Sequence, residues 1–205
     1  MLKEFGIDAA PEAIRRGLIV ADEFIYQEFA RQPLSKRTAE EKMAVYIQYQ
    51  RVLLREAGVA ASEQLIGGVL NKMQQFKLNQ VLFDDVVPAL TQLKERGLIL
   101  GLVSNVDHDI TPLCNKLGLS SLLQVLVTSQ DIGLSKPHPE IFREALRQAG
   151  IEASEAVYVG DQYRIDVIGA RDAGMKGMLL DRGDDFREVT DCPRIRSLAE
   201  IVKFL

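Results

Sequence analysis

The feature of this sequence that most constrains its fold is a regular alternation in the C-terminal part. From residue 85 onward, short apolar runs of strand length alternate with segments of helical periodicity, most of which end at a glycine. The strands are predicted at residues 98–103, 124–128, 156–159 and 177–180, and the helices at 85–96, 108–117, 139–149, 165–173 and 197–204. Alternation of this kind predicts a parallel sheet with helices on both faces. The run 98–103 has no polar alternation and is therefore predicted to be a strand buried on both faces.

The first 80 residues show only helical patterns. Thr38 and Glu41 are spaced as a capping box, and Ser62 is placed to cap a later helix. The predicted helices cover residues 12–30, 38 to near 58, and 62 to about 76. We therefore divide the chain into an all-helical part, residues 1–80, and an α/β part, residues 81–205.

Composition and charge exclude several classes of function. The formal net charge is −4 and the 25 Lys and Arg residues are scattered, so no basic patch indicates nucleic acid or an acidic membrane. No apolar run approaches the roughly 20 residues of a membrane-spanning helix, and no signal peptide is visible. Cys114 and Cys192 stand in no metal or redox spacing, which favours reduced thiols. We expect a cytoplasmic protein that binds neither nucleic acid nor membrane, and its oligomeric state stays open.

Polar side chains follow the predicted strands at the points where those strands end. Ser104 and Asn105 follow the first strand, and Asp161 and Asp166 follow the third. Lys136, whose backbone is restricted by the proline after it, follows the second strand by a short loop. Ligands bind at the carboxyl ends of parallel strands, where a lysine and a hydroxyl suit phosphoryl oxygens and two carboxylates suit Mg²⁺. Taken singly, the same residues fit turns, helix caps or an exposed surface equally well, and only their occurrence together favours a phosphoryl site.

In combination, these strand ends resemble motifs two, three and four of the haloacid dehalogenase superfamily. The resemblance is carried by VSN at 103–105, SKPHPEIF at 135–142 and GDQYRIDVIGARDAGM at 160–175. It covers essentially the whole chain from residue 80 onward, and the first 80 residues resemble the helical cap that many members insert after their first strand. The resemblance implies an α/β fold, with a Rossmann-like parallel-sheet core and an all-helical cap.

The resemblance also implies a role for each residue. Ser104 would bind the phosphoryl group with Asn105 beside it, and Lys136 would neutralise the charge on the phosphoryl group and the nucleophile. Ser104 and Lys136 are thus the candidate catalytic residues. Asp161 would ligate Mg²⁺, and Asp166 would support either the metal or Lys136. The implied reaction is Mg²⁺-dependent hydrolysis of a small phosphorylated metabolite through an aspartyl-phosphate.

The first motif of the superfamily has no counterpart in this sequence. That motif is an apolar strand ending in Asp-x-Asp-x-Thr, which supplies the nucleophile, and no such string precedes the helical cap. The string FDD at 83–85 is only vaguely similar and better fits a junction between cap and core. The missing strand would lie between those ending at Ser104 and Asp161, so two strand edges would lack partners. We interpret Met1 as an internal residue or a start placed too late; the alternative is a short protein that has lost the strand.

Three functions stay open on the sequence alone. The first is the phosphomonoesterase, with little or no activity expected from these 205 residues because the nucleophile is absent. The second is a 2-haloacid dehalogenase-type hydrolase, which needs no metal. The third is a non-catalytic phosphoryl-binding or regulatory protein that keeps the fold without the chemistry.

Overall fold

The structure is a computed structural model that describes residues 2–75 and 79–205. Two units are distinguished along the chain, Met1–Gln80 and Val81–Leu205, and each is described by itself. The predicted end of the third helix at Phe76 lies outside the described residues. Within both described stretches, no helix combines the length and the apolar character that a membrane span requires.

The first unit is built from helices that bury a shared apolar stripe. These are α1 (Pro11–Arg31), α2 (Ala39–Glu56) and α3 (Glu63–Gln75), with short 3-10 turns at Leu2–Phe5 and Leu34–Lys36. The buried side chains at their centre are Ala21, Val52, Leu53, Leu54, Leu65, Ile66 and Val69. The helical pattern predicted for this part is confirmed.

Local signals in the sequence explain where these helices begin. The Thr38 hydroxyl accepts from the Glu41 N–H at 3.2 Å, and Glu41 Oε2 accepts from the Thr38 N–H at 2.7 Å, which confirms the capping box. The Ser62 hydroxyl accepts from the Leu65 N–H at 3.2 Å at the start of α3. Each bond satisfies a backbone donor that the first turn of a helix leaves unpaired.

The second unit alternates strands with helices. Its helices are α4 (Val86–Glu95), α5 (Thr111–Lys116), α6 (Ser129–Ile132), α7 (Pro139–Ala149) and α8 (Gly169–Asp172). Its strands are β1 (Gly101–Ser104), β2 (Val125–Thr128), β3 (Val157–Gly160), β4 (Lys176–Leu180) and β5 (Arg194–Ile195). A π-helical turn covers Tyr163–Ile168, and 3-10 turns cover Ala153–Glu155 and Leu198–Lys203.

The strand pairs are parallel, as predicted, but they form two sheets. β1 pairs with β2, which places Ser104 opposite Thr128. β4 pairs with β3 and β5, which places Gly160 opposite Leu179. Although β1 and β3 are not paired with each other, Val103 and Tyr158 pack in the same apolar cluster with α7 and α8. A second cluster joins α4 and the C-terminal 3-10 turn to the strands.

The first strand differs from its prediction in position. It begins at Gly101 rather than at Leu98, and Leu98 and Ile99 are 37% and 48% exposed. The ladder to β2 starts at Leu100, whose carbonyl oxygen accepts from the Gln124 and Val125 N–H groups. Along β1 only Val103 is buried, whereas three of the four residues of β2 are buried. Leu102 and Val103 point to opposite faces of β1 and pack in two different apolar clusters. Both faces are therefore covered, as predicted, although only Val103 is fully buried.

Other predicted boundaries moved where local hydrogen bonds compete with a regular helix. The helix predicted at 108–117 begins only at Thr111, whose N–H donates to the Asp109 carboxylate at 2.8 Å. The helix predicted at 165–173 is a π-helical turn followed by the short α8. The helix predicted at 197–204 is a 3-10 turn. The short elements α6 and β5 were not predicted.

Candidate active site

Asn105, directly after β1, is bonded twice to the backbone of Lys136. Its side-chain Nδ2 donates to the Lys136 carbonyl oxygen at 3.0 Å, and its Oδ1 accepts from the Lys136 N–H at 2.7 Å. One planar amide carries both a donor and an acceptor, so it can satisfy both backbone groups of one residue. The pair of bonds fixes the Lys136 backbone at the carboxyl end of β1.

The ammonium group of Lys136 is held by two side chains from the segment around the end of β3. Its Nζ donates to Asp166 Oδ1 at 2.7 Å and to the Tyr158 hydroxyl at 3.1 Å. The Lys136 and Asp166 side chains are only 13% and 3% exposed. A buried lysine needs such partners, since an isolated ammonium would not stay charged away from water.

The environment of Lys136 keeps its side chain protonated. Burial by itself acts to lower the pKa of the Lys136 ammonium, but the adjacent Tyr158 oxygen and the Asp166 carboxylate outweigh it, and the pKa is raised above its ordinary value. The site therefore presents a fixed positive charge, which is the property that binding of a phosphoryl oxyanion requires.

Gly160 makes room for the carboxylate that pairs with Lys136. A Cβ at residue 160 would lie 2.3–2.4 Å from the carboxyl group and Cβ of Asp166. The second Asp166 oxygen, Oδ2, accepts from the Gln162 N–H at 3.0 Å across the intervening turn. The glycine at the end of β3 thus allows the chain to fold back closely enough for Asp166 to reach Lys136.

Gly169 plays a similar part for the loop that carries Lys136. A Cβ at residue 169 would lie 2.9 Å from Pro137 and 2.9 Å from the ring of the fully buried Phe142. The first turn of α8 therefore packs directly against the residue after Lys136. Gly169 and Pro137 belong to motifs that are far apart in the sequence, and the absence of a side chain at residue 169 is what lets them pack together.

Tyr158 was not identified from the sequence, although it lies at the centre of this site. Its hydroxyl donates to the Val103 carbonyl oxygen at 3.2 Å, and its ring packs edge-on against Phe142 with centroids 4.9 Å apart. Burial raises the pKa of Tyr158 to about 12, so the hydroxyl stays a proton donor. The available signal was a single polar-tipped aromatic residue within the apolar run 156–159.

Ser104 and Asp161 are adjacent in sequence to residues of this site, Asn105 and Gly160. Ser104 is the last residue of β1 and is half-buried beside Asn105, and Asp161 is exposed directly after Gly160. The structure thus joins Asn105, Lys136 and Asp166 by hydrogen bonds, with Ser104 and Asp161 as their neighbours in sequence. The roles assigned to these five residues stay predictions.

Comparison with known proteins decides the family. A sequence profile for haloacid dehalogenase-like hydrolases matches residues 20–180. The chain belongs to the haloacid dehalogenase-like hydrolases. This confirms the resemblance read from motifs two to four, and it confirms the predicted α/β fold class.

Three relatives show how far the similarity extends. A glyceraldehyde 3-phosphate phosphatase of Methanopyrus kandleri is 33% identical over 165 residues, which are 75% of this chain and 71% of that protein. A phosphoserine phosphatase of Thermus thermophilus is 33% identical over 138 residues, which are 65% of this chain and 53% of that protein. The crystal structure of a HAD phosphatase from Thermococcus onnurineus is 28% identical, with a TM-score of 0.57, and the match covers 94% of this chain and 90% of that one. The chain thus spans about half of one curated phosphatase and under three quarters of the other.

Asp166, one of the two carboxylates predicted to bind Mg²⁺, is engaged by protein donors on both sides. Both oxygens of Asp166 accept hydrogen bonds, one from Lys136 and one from Gln162. Residues 2–75 and 79–205 contain no group of three or more His, Cys, Asp or Glu side chains placed to hold a metal. Of the two roles that the sequence left open for Asp166, its hydrogen bonds correspond to the support of Lys136.

Asp85, the last residue of the FDD string, serves the architecture of the second unit. Its oxygens accept from both terminal nitrogens of Arg182 at 2.9 and 3.0 Å, and Oδ2 also accepts from the Ser197 hydroxyl at 2.6 Å and from the Leu198 N–H at 2.8 Å. The hydrogen bonds from Arg182 are the main reason that the pKa of Asp85 is lowered well below its ordinary range. This carboxylate joins the start of α4 to the segments after β4 and β5, all within the second unit. The junction of cap and core at residues 83–85 stays a prediction.

Proposed function

We propose that this chain carries the phosphoryl-binding part of a Mg²⁺-dependent phosphomonoesterase that acts on a small phosphorylated metabolite. The observation that supports the proposal most directly is the Lys136 ammonium, buried and held by Asp166 and Tyr158 near the ends of β1 and β3. The two curated relatives whose names are phosphatases support the same class of reaction. The identity of the metabolite is left open.

In the proposed reaction an aspartate oxygen attacks phosphorus and the bond from phosphorus to the alcohol oxygen breaks. A general acid, the second aspartate of the absent first motif, would give the alcohol oxygen its proton and recover one from the attacking water in the next step. Water then cleaves the aspartyl-phosphate, which releases inorganic phosphate and restores the carboxylate. Lys136 would offset the negative charge of the phosphoryl oxygens and the attacking carboxylate. The Ser104 hydroxyl would donate to one phosphoryl oxygen, while Asn105 keeps the Lys136 backbone in place.

We further propose that the nucleophile lies on a strand outside these residues, between β1 and β3. The Leu100 carbonyl faces β2 and the Ala156 carbonyl accepts from the Lys176 N–H of β4. Because successive residues of a strand direct their backbone groups to opposite edges, those of Val103 in β1 and of Val157 and Val159 in β3 point away from these partners. Among the described residues, β1 and β3 each have one edge without a partner strand. Both strands pack in the same apolar cluster, and one more parallel strand between them would pair with both edges.

Mg²⁺ dependence belongs to the same proposal. Asp161 would contribute one carboxylate, and Mg²⁺ demands near-octahedral oxygen coordination, which one exposed carboxylate does not provide. We therefore expect weak Mg²⁺ binding by this chain and tighter binding once the nucleophile strand is present. In that complete site the metal would stabilise negative charge on the phosphoryl group.

The test compares the 205-residue chain with a chain extended by the in-frame upstream codons. Hydrolysis of p-nitrophenyl phosphate is measured with Mg²⁺ and with chelator. We expect no turnover by the shorter chain and Mg²⁺-dependent turnover by the longer one, lost in its Asp161→Asn variant. Turnover by the shorter chain that Asp161→Asn abolishes would refute the proposed absence of the nucleophile.

The same two chains distinguish the remaining functions. Chelator-insensitive release of halide from a 2-haloacid, without phosphate release, would identify a dehalogenase. Binding of inorganic phosphate by both chains, with turnover by neither, would identify a non-catalytic phosphoryl-binding protein. Either outcome would overturn the phosphomonoesterase.

A further inference from the structure

Asp191 joins the segment between β4 and β5 to two elements beside the candidate active site. Its Oδ2 accepts from the Tyr163 hydroxyl at 2.8 Å and from Nη1 of Arg171 at 2.5 Å, and its carbonyl oxygen accepts from Nη2 of Arg171. Tyr163 is the first residue of the π-helical turn, and Arg171 lies in α8. Although the Asp191 side chain is half exposed, one guanidinium binds both its carboxylate and its backbone, which makes the contact a network of fixed geometry rather than an isolated surface pair.

The segment that carries Asp191 is itself anchored. At its start the buried Asp181 carboxylate accepts from the Asp185 and Phe186 N–H groups at 2.7 and 3.0 Å and from Nη1 of Arg194 at 2.9 Å. At its end β5 pairs with β4. Asp191 is therefore presented to the π-helical turn by a segment that is fixed on both sides of it.

The π-helical turn is closed by two hydrogen bonds directly beside its first residue. The Asp166 N–H donates to the Gln162 carbonyl oxygen at 2.7 Å, and the Gln162 N–H donates to Asp166 Oδ2 at 3.0 Å. The turn also packs closely on β4, where a Cβ at residue 177 would lie 2.7 Å from the Val167 carbonyl oxygen. The turn is thus held by β4 as well as by Asp191.

We propose that Asp191 is a positioning residue of the candidate active site: it holds Tyr163 and Arg171 and thereby fixes the π-helical turn that begins at Tyr163. That turn carries Asp166 and follows Asp161. The contacts join the connection from β3 to β4 with the connection from β4 to β5, away from the edge of β3 at which a further strand is proposed. The fixing of the turn is independent of the proposed function, whereas its consequence for Mg²⁺ at Asp161 rests on it.

The first experiment measures how firmly the turn is held, without any ligand. Amide hydrogen exchange of the 205-residue chain and of its Asp191→Ala variant is followed by two-dimensional NMR. We expect the Gln162 and Asp166 amides to exchange about fivefold faster in the variant, because the side-chain hydrogen bonds from Tyr163 and Arg171 are lost. The amides of β2 should keep the parent rate. An unchanged rate in the turn, or an equal acceleration in β2, would overturn the inference, since the latter reports only a loss of global stability.

Tyr163→Phe and Tyr49→Phe form a matched pair of variants. Both hydroxyls donate to an aspartate at 2.8 Å, but the partner of Tyr49 is Asp22 in the helical unit. We expect faster exchange of the Gln162 and Asp166 amides in Tyr163→Phe and no change there in Tyr49→Phe. Equal rates in the two variants would overturn the route through Tyr163.

A Mg²⁺ titration followed at the Asp161 amide separates this inference from the proposed function. We expect the midpoint to be about fivefold higher in Asp191→Ala than in the parent, because a carboxylate that is held less firmly loses more conformational entropy when the ion binds. Equal midpoints would overturn the positioning role. Faster exchange of the turn in Asp191→Ala, with no response of Asp161 to Mg²⁺ in either protein, would overturn the proposed Mg²⁺ site and leave the fixing of the turn intact.

Discussion

The Nζ atom of Lys136 lies 2.7 Å from Oδ1 of Asp166, and both side chains are largely withdrawn from water. The pair joins the loop after α6 to the turn after β3, across 30 positions of sequence. Breaking such a pair is costly because the charge that remains has no partner and little solvent. The lysine of the candidate site is therefore coupled to the stability of the second unit.

Replacing Asp166 by alanine is expected to lower the free energy of unfolding by about 3–5 kcal/mol, because the Lys136 ammonium is left buried and unpaired. Denaturant unfolding measures the change. The double replacement Lys136→Met with Asp166→Leu should recover most of the loss, since it leaves no buried charge. Glu140→Ala is the control: its pair with Arg143 is 3.6 Å long and exposed, so a loss below about 1 kcal/mol is expected. Equal losses for Asp166→Ala and Glu140→Ala would contradict the prediction.

Gly160→Ala is expected to displace the Asp166 carboxylate. The new methyl group would stand 2.3–2.4 Å from that side chain, so the free energy of unfolding should fall by about 1–3 kcal/mol. Gly67→Ala is the matched control because residue 67 is an exposed position in α3 with nothing within 4 Å of an added Cβ. That change should stabilise the protein by up to about 1 kcal/mol. Thermal unfolding with both variants tests the contrast, and a Gly160→Ala protein as stable as Gly67→Ala would disprove it.

Lys136→Ala is expected to weaken binding of inorganic phosphate about tenfold or more, because a charge-assisted hydrogen bond is lost. Isothermal titration calorimetry measures the affinity. Lys176→Ala removes an equal charge from the first residue of β4, whose side chain is exposed. That residue lies at the amino end of its strand, whereas the candidate site lies near the carboxyl ends of β1 and β3. We expect this control to bind phosphate like the parent. Equal affinities for the two variants would show that Lys136 is not the phosphate-binding lysine.

The pKa of Asp85 predicts how stability depends on acid. Because this pKa is lower in the folded protein than in the unfolded chain, Asp85 stabilises the fold above the unfolded-state value of about 4. The stabilisation is lost as the pH falls below that value and Asp85 becomes protonated. Asp85→Asn should therefore be less stable than the parent at pH 7, and the difference should shrink below about pH 4.

Unfolding by urea at a series of pH values tests the role of Asp85, with the exposed neighbour Asp84 replaced by asparagine as the control. We expect Asp84→Asn to follow the parent curve at every pH. A stability difference for Asp85→Asn that stayed constant from pH 7 to pH 3 would rule out the assigned ion pair with Arg182 as its source.

Elements with strong local signals could be predicted from the sequence. Helix α7 has the predicted bounds, Pro139–Ala149, because Pro139 suits the first turn and Gly150 takes the left-handed conformation that ends it. The capping box of Thr38 and Glu41 was likewise local. The family followed from the strings around Asn105, Lys136 and Asp161, where a few residue types at fixed spacing are specific in combination.

The sequence by itself determined the parallel α/β class, the helical character of the first 80 residues, and three residues that the structure joins by hydrogen bonds, Asn105, Lys136 and Asp166. Only the tertiary structure decided that Asp166 pairs with Lys136, that Tyr158 holds the same ammonium, and that β1 and β3 belong to two different sheets and do not pair with each other. The physical reason is the separation along the sequence of the groups that interact. A helix cap depends on residues three or four positions apart, whereas these contacts join groups 22 to 55 positions apart and form only when packing brings the strands side by side.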